Sequence, residues 1–541
     1  ELMQRTGALD ADGPGAEGTR HDADDVRLVR RAGAQGMVLL RNVAAAGGDP
    51  VLPLRPDRVR RVAVLGPNAA RGQVMGGGSA HVTPTSISAT LDAIRSWLEP
   101  QGVEVVYAEG CQTHRRLPEL DLRMCSTVTV EIHEDPERLD DPAAVPMRSR
   151  PVESARVIWQ SDPTGRRSPD PTYGARVVTD FVPTVTGEWQ FGIESVSPAR
   201  LLVDGKVVID NTDVAAGGSF FGTGRGQVVA SVPMEEGRPY RLVVEVRRHP
   251  RRSGLDGVNI GALAPVFGDL VDAAVDVAAS CDLSIVVVGT NDDWESEGWD
   301  RTDLDLPGRQ DELVHRVAEV SPATVVVVNA GSPVTMPWLD EVHSVLMAWF
   351  PGQEMGNSLV DVLSGVEEPQ GRLPVTFPAR LVDTPASEHH PGRNGVARYL
   401  EGRLLGYRWY DTVGRVPLFP FGFGLGYGCV AIDAVSVASP FEVVATVRNA
   451  GDRDAVEVVQ VYAHLLDRDG ADRDEPEQRL VGFRKVRVAA GAEERVTITL
   501  DPDAYRRWDV GAGSWSVPPL RHELRIGRSS RDVVARVEVR P

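Results

Sequence analysis

The stretch Val286-Val-Val-Gly289-Thr-Asn-Asp-Asp-Trp294-Glu-Ser-Glu297-Gly-Trp-Asp300-Arg301 decides how the chain is read. An apolar, β-branched run ends in glycine and passes into a loop that carries five acidic residues, two tryptophans and an arginine. Such a run is a buried strand, and an open α/β sheet presents its chemistry on the loops that leave the carboxyl ends of its strands.

Working outward, the residue pattern predicts a helix over 269–279 that feeds a strand over 283–288. Beyond the loop it predicts a helix over 309–320, strands over 324–328 and 344–348, and a helix over 356–363. Short connections between such elements are the grammar of a doubly wound sheet. The same grammar appears near the start. Residues 24–40 put Val26, Val29, Ala32, Gly33 and Gly36 near one helical face, with acids at the front where the helix dipole favours them. Arg61-Val-Ala-Val-Leu-Gly66-Pro-Asn is a buried strand with a Gly-Pro turn, followed by a helix over 87–98 and a strand over 103–108.

Between the two α/β segments the period changes. Residues 117–262 hold short β-branched runs separated by Gly and Pro turns, such as Glu188-Trp-Gln-Phe-Gly-Ile and Tyr240-Arg-Leu-Val-Val-Glu-Val, with no helix longer than two turns. That pattern describes an all-β sandwich inserted into an α/β domain. A second all-β region follows residue 428, with strands in Glu442-Val-Val-Ala-Thr-Val, Val456-Glu-Val-Val-Gln-Val-Tyr and Arg495-Val-Thr-Ile-Thr-Leu.

Composition narrows the function. A chain of 541 residues holds about three or four domains. Its 58 basic against 77 acidic side chains and net charge of −19 disfavour a nucleic-acid partner, which requires a basic stripe. No run reaches the 18 or so apolar residues of a membrane span, so the expectation is a soluble protein of undetermined compartment, without a membrane partner. The one Gly-Lys pair, Gly205-Lys206, has neither the glycines nor the Ser/Thr of a phosphate loop. Gly422, Gly424, Gly426 and Gly428 precede β-type sequence and open no βαβ unit, which excludes a dinucleotide site. Cys111, Cys125, Cys281 and Cys429 are too scattered for a disulfide framework or a zinc site, although Cys111 and Cys125 remain one pair able to bridge. His389 and His390 lack metal-spaced partners.

Several ordered motifs together resemble the C-terminal part of glycoside hydrolase family 3 β-glucosidases. Gln35-Gly-Met-Val-Leu-Leu-Arg-Asn, Val64-Leu-Gly-Pro-Asn-Ala, Met75-Gly-Gly-Gly-Ser79-Ala, Glu297-Gly-Trp-Asp-Arg301, Gly371-Arg-Leu-Pro-Val-Thr-Phe-Pro and Pro420-Phe-Gly-Phe-Gly-Leu-Gly-Tyr are similar to that family's α/β sandwich. Thr186-Gly-Glu-Trp-Gln-Phe-Gly and Leu202-Val-Asp-Gly-Lys resemble the protective-antigen-like β-sandwich some members carry as an insert. Val447-Arg-Asn-Ala-Gly-Asp, Leu480-Val-Gly-Phe-Arg-Lys-Val and Gly527-Arg-Ser-Ser resemble the family's fibronectin type III-like domain. The implied fold class is a doubly wound α/β sandwich (21–116 and 263–428), interrupted by an all-β protective-antigen-like sandwich (117–262) and followed by a fibronectin type III-like β-sandwich (429–541).

Members of this family begin with a barrel that supplies the aspartate nucleophile, and no such domain is found in this sequence. Residues 1–20 resemble the linker that follows the barrel, so the expected partner is a family-type barrel domain, upstream in the same polypeptide or on another chain. A homo-oligomer is left open. The resemblance implies an exo-acting, retaining β-glycosidase acting on a β-glucoside or oligosaccharide, without a cofactor. A different class, a non-catalytic carbohydrate-binding or scaffold protein, remains the alternative.

A retaining glycosidase works with two carboxyl groups about 5–5.5 Å apart. By resemblance Glu297 is the acid/base of that pair, flanked by Trp294 and Trp299, whose bulk is expected to exclude water. An acidic loop alone is more often only solvated; the Glu-Gly-Trp-Asp-Arg match raises Glu297 above that reading, and its register favours Glu297 over Glu295. Asp300 and Arg301 are expected to pair with each other or to pin the loop. Ser79, on a glycine-rich loop at the same sheet edge, is either a hydrogen-bond donor to the sugar or the acid, or part of a tight turn. Aromatic faces stack on the C–H face of sugars, and the resemblance to members with this insert, where an aromatic walls the aglycone subsite, implies that Phe220 or Phe221 in Gly217-Gly-Ser-Phe-Phe-Gly-Thr-Gly is that wall; otherwise the two pack under their own loop. The proposed sugar contacts are thus Ser79, Phe220, Phe221 and Trp294.

Overall fold

The computed structural model describes residues 2–7, 9, 22–45, 48–141, 143–159, 161–166, 171–213, 224–249, 255–297, 300–467 and 475–541. The α/β layer is built on six strands: β1 (Val38–Asn42), β2 (Arg61–Leu65), β3 (Glu104–Ala108), β4 (Leu283–Gly289), β5 (Thr324–Asn329) and β6 (Ser344–Met347). Their spatial order is β1-β6-β5-β4-β2-β3. All neighbours run parallel except β1, which pairs antiparallel with β6 at the edge.

Every residue of β4 and β5 is buried, as the continuous valine runs require of central parallel strands covered on both faces. Alternate side chains serve the two faces. Val286, Val288, Val326 and Val328 pack with Val271, Ala274, Leu313 and Val317 of the helices Leu270–Ala279 and Gln310–Val320. Ile285, Val287, Val325 and Val327 pack with Leu91, Ile94 and Leu359 of the helices Thr90–Leu98 and Met355–Ser364.

One departure from the sequence reading lies at the start. The first helix is Ala23–Gly36, and Met37 leaves it in an extended conformation, so the apolar run that follows is the edge strand β1. A four-residue apolar run carries no usable period, and the glycines Gly33 and Gly36 weaken the helix just before it. Gly33 has a packing role: a Cβ there would stand 2.6 Å from Oγ of Ser358 on the helix Met355–Ser364. The helix expected over 87–98 begins at Thr90.

The chain passes from β2 to β3 on one side and, after the insert, places β4 on the other side of β2, so the strand order reverses between β2 and β4. The loops leaving these two strands face one crevice at their carboxyl ends, the place where open α/β sheets bind ligands. At the opposite ends, Asp282 accepts hydrogen bonds from the backbone N–H of Arg60 (2.7 Å) and Arg61 (3.0 Å), stapling β2 to β4. Those N–H groups hold its carboxyl below the ordinary value of 3.8. A carboxyl lowered on folding contributes stability that is present above its unfolded value and lost as pH falls through its folded one. Asp282→Asn is therefore expected to lower the thermal midpoint at about pH 7, with the difference from the parent shrinking as pH falls below 3.8 and vanishing once it has passed the lower, folded value; thermal scans across pH check this.

The insert is a two-sheet sandwich of six and four strands. Phe181 sits edge-on to Trp189 and Phe191 at 5.1 and 5.4 Å in its core. A last sandwich of three- and four-stranded sheets spans Val430–Ser439 to Val533–Val539. Glu368 joins it to the α/β layer, accepting from the backbone N–H of Tyr427 (2.8 Å), Gly428 (3.1 Å) and Val456 (2.7 Å). The buried Arg372–Glu457 pair, at 2.7 Å, reinforces that joint. Cys111 and Cys125 carry free thiols rather than a bridge, pushed up by burial to about 12 and about 11. No helix among the described residues is long and apolar enough to cross a membrane.

Candidate active site

Two glycines let the loops of the crevice come together. A Cβ on Gly66, which has φ 105°, would stand 2.2 Å from the carbonyl oxygen of Val287, and one on Gly289 would stand 1.9 Å from that of Asn329. Any side chain at either point collides with backbone. Asn68 and Asn329 then tie the loops to the strand ends. Asn68 Nδ2 donates to the carbonyl of Thr290 (3.0 Å) and to Asn329 Oδ1 (3.1 Å), and Asn329 Nδ2 donates to the carbonyls of Gln73 (2.9 Å) and Trp349 (2.6 Å). Both amides are buried, where unmet polar groups are costly, so the network holds one geometry.

On that base the glycine-rich loop lies directly on the acidic loop. Gly77 N–H donates to the carbonyl of Glu295 at 2.8 Å. A Cβ on Gly77 would approach the carbonyl of Asp292 to 2.6 Å, and one on Gly78, at φ 70°, would approach Cγ of Glu297 to 3.2 Å. Ser79, in a 3-10 turn, donates its hydroxyl to Glu297 Oε2 at 2.5 Å. Ser79 thus lies in a tight turn and also meets Glu297.

The two glutamates differ in their surroundings. Glu295 Oε1 accepts from Thr290 Oγ1 (2.5 Å) and from the backbone N–H of Gly331 (2.9 Å), which makes it a brace within the loop. Glu297 is exposed on an open cleft of about 540 Å³ whose lining includes Gly76, Gly77, Trp294, Arg301, Ser332 and Phe350. Among the described residues, Ser79 is its one hydrogen-bond partner. Arg301 pins the far side of the loop, donating to Ser332 Oγ and to the carbonyl of Asp305, each at 3.1 Å, while Asp300 faces His390 at 3.8 Å instead of pairing with Arg301.

Trp294 lines the cleft but aims its indole N–H away, at the carbonyl of Thr113 (2.7 Å). The described residues leave Glu297 open to solvent, so Trp294 does not seal it from water as expected. Trp299, Phe220 and Phe221 lie outside the described residues. Asn68, Asn329, Ser332 and Phe350 belong to the site without having been singled out in the sequence. The Gly-Pro-Asn turn was the available signal for Asn68, whereas nothing local distinguishes Ser332 or Phe350. His389 pairs with Glu401 at 2.7 Å, and no cluster suited to a metal ion occurs among the described residues.

The model of the glycosyl hydrolase family 3 C-terminal domain matches residues 37–427, which span the whole crevice and the insert. The chain belongs to glycosyl hydrolase family 3. A fibronectin type III-like domain matches residues 457–530, within the last sandwich. The chain is 38% identical to a β-glucosidase of Rhizobium radiobacter, covering 99% of this chain and 65% of that protein. It is 32% identical to a probable β-glucosidase of Emericella nidulans, covering 96% and 62%. Among solved structures, the β-glucosidase of Kluyveromyces marxianus in complex with glucose superposes with a TM-score of 0.87 at 28% identity, covering all of this chain and 65% of that one. DesR, a β-glucosidase of Streptomyces venezuelae in complex with D-glucose, gives 0.68 at 27% identity, covering all of this chain and 63% of that one. This family 3 chain thus spans just under two thirds of the length of these relatives.

Proposed function

We propose that the chain is the acid/base-bearing part of an exo-acting retaining β-glycosidase, foremost a β-glucosidase that removes terminal non-reducing β-glucosyl residues. The observation that carries the reading is Glu297: a carboxylate at the switch point of the sheet, exposed on an open cleft and oriented by Ser79 from the neighbouring loop. Glu295, two residues away, is engaged within the scaffold, which leaves Glu297 the better placed of the two glutamates to reach a substrate.

In this reading Glu297, as the acid, donates its proton to the glycosidic oxygen as the bond to the anomeric carbon breaks. As the carboxylate it then takes a proton from the water that releases the sugar from the enzyme. Ser79 holds one carboxylate oxygen, and the glycine loop, bonded to the acidic loop through Gly77 and Glu295, keeps the pair in register. Trp294 and Phe350 offer apolar surface to a sugar ring, with Phe220 or Phe221 as the further wall from the insert. The nucleophilic carboxylate comes from a family-type barrel domain facing the crevice, and hydrolysis requires no cofactor.

Residues 1–541 alone are therefore expected to release no nitrophenol from an aryl β-glucoside at an enzymatic rate, and to do so once the barrel domain is supplied in the same polypeptide or in trans. Turnover by residues 1–541 alone would show that both carboxyl groups lie on this chain and refute the division of labour.

A further inference from the structure

The segment that leads from the α/β layer into the insert touches the acidic loop at several points. Trp294 Nε1 donates to the carbonyl of Thr113 at 2.7 Å, and the guanidinium of Arg115 lies 5.8 Å from the Trp294 ring centroid. Arg116 grips Asp293 through Nε (2.9 Å) and Nη2 (2.8 Å). The same guanidinium reaches Glu194 through Nη1 at 3.3 Å. Glu194 is 2% exposed and sits on the insert strand Gly187–Ser195. One residue on, Leu117 N–H donates to Gln227 Oε1 at 2.8 Å, Gln227 belonging to the insert strand Arg225–Met234. Gly192 and Gly261 admit the Gln227 side chain: a Cβ on either would come within 2.7 or 3.2 Å of it.

One cation therefore stands between a carboxylate of the acidic loop and a carboxylate of the inserted sandwich. Arg116 interacts with the half-buried Asp293 and the buried Glu194 at once, so removing its charge takes a favourable interaction from both carboxylates where little water screens them. Burial pushes the carboxyl of Asp293 above its ordinary value, and Arg116 opposes that push. Asp293 is four residues from Glu297, and between them Glu295 is braced by Thr290 and Gly331. The loop is thus held at its base by the sheet and at its outer side by Arg116.

We propose that Arg116 is a positioning residue that couples the seating of the inserted β-sandwich to the placement of Glu297. The role in catalysis rests on the function proposed above, whereas the anchoring of the loop does not. In residues 1–541, Arg116→Ala is expected to speed backbone hydrogen exchange across residues 290–297 by about tenfold, with β5 unchanged. Arg116→Lys, a point charge that cannot aim two N–H donors at Asp293 Oδ1 and a third at Glu194, is expected to restore part of the protection, and Glu194→Gln to lose part of it. Unchanged exchange in the loop overturns the proposal. If Arg116→Ala fails to fold, Glu194→Gln, which keeps shape and removes one charge, decides on the same readout.

In the enzyme completed with its barrel domain, Arg116→Lys is expected to lower kcat for substrates with poor leaving groups more than for activated aryl glucosides, with KM little changed. An equal fall for both overturns the positioning role. Glu297→Gln measured alongside separates the two ideas: if it shows no leaving-group dependence the proposed function fails, while the exchange result still decides whether Arg116 anchors the loop.

Discussion

Glu297→Gln, in the enzyme completed with its barrel domain, is expected to lower kcat/KM for glucosides with poor leaving groups by roughly 100- to 10,000-fold, the usual worth of a general acid. An activated aryl glucoside, whose leaving oxygen needs no proton, should lose far less in its first step. Its second step, attack by water without a base, then becomes slow, and azide, a nucleophile that needs no base, should restore turnover. Steady-state kinetics over a series of leaving groups, with and without azide, check all three points. Unchanged kinetics would remove Glu297 from the chemistry. The geometry makes that outcome specific, because Ser79 would then be holding an exposed carboxylate at 2.5 Å for no catalytic purpose.

Gly289→Ala is expected to cost about 3 kcal/mol, the upper end of what overpacking a close-packed site costs. The added Cβ would fall 1.9 Å from the carbonyl oxygen of Asn329 and 3.0 Å from Asn68 Nδ2, so the strand ends and the buried amide network must both move. The backbone of Gly289 also exchanges hydrogen bonds with Gln310, its N–H donating at 2.7 Å and its carbonyl accepting at 2.8 Å, which leaves little freedom to relax. Urea unfolding followed through the α/β layer should show a lower midpoint with the slope unchanged. Gly36→Ala provides the control. A Cβ there meets nothing within 4 Å, and alanine favours the helix, so this substitution should be neutral or mildly stabilising.

Much of the fold could be read from period alone. The valine runs of β4 and β5 are long enough to be buried strands, and the change to short β-branched runs after residue 117 marks a different architecture. The edge strand β1 could not be read this way. Met37-Val-Leu-Leu is apolar without a period, and whether it continues a helix or joins a sheet depends on β6, some 300 residues later in the chain.

At the site, the loop motif pointed to Glu297 and the glycine run pointed to Ser79, yet their contact joins residues 218 positions apart. The distinction between Glu297 and Glu295 rested on motif register in the sequence. In the structure it rests on Thr290 and Gly331, which engage one carboxylate and leave the other exposed. Trp294 shows the converse case. Its place beside Glu297 suggests a shield against water, but its indole N–H donates to the carbonyl of Thr113.

By itself, the sequence determined most of the elements, the edge strand β1 excepted, the insertion of one sandwich into another domain and the acidic loop at a strand end. These follow from local pattern, since strand and helix periods and glycine turns are set by neighbours in the chain. Only the tertiary structure decided which acid is exposed, that Ser79 orients it, and that Arg116 ties its loop to the insert. Those facts depend on hydrogen bonds and charges between segments far apart in sequence, whose meeting is set by the order of strands in the sheet.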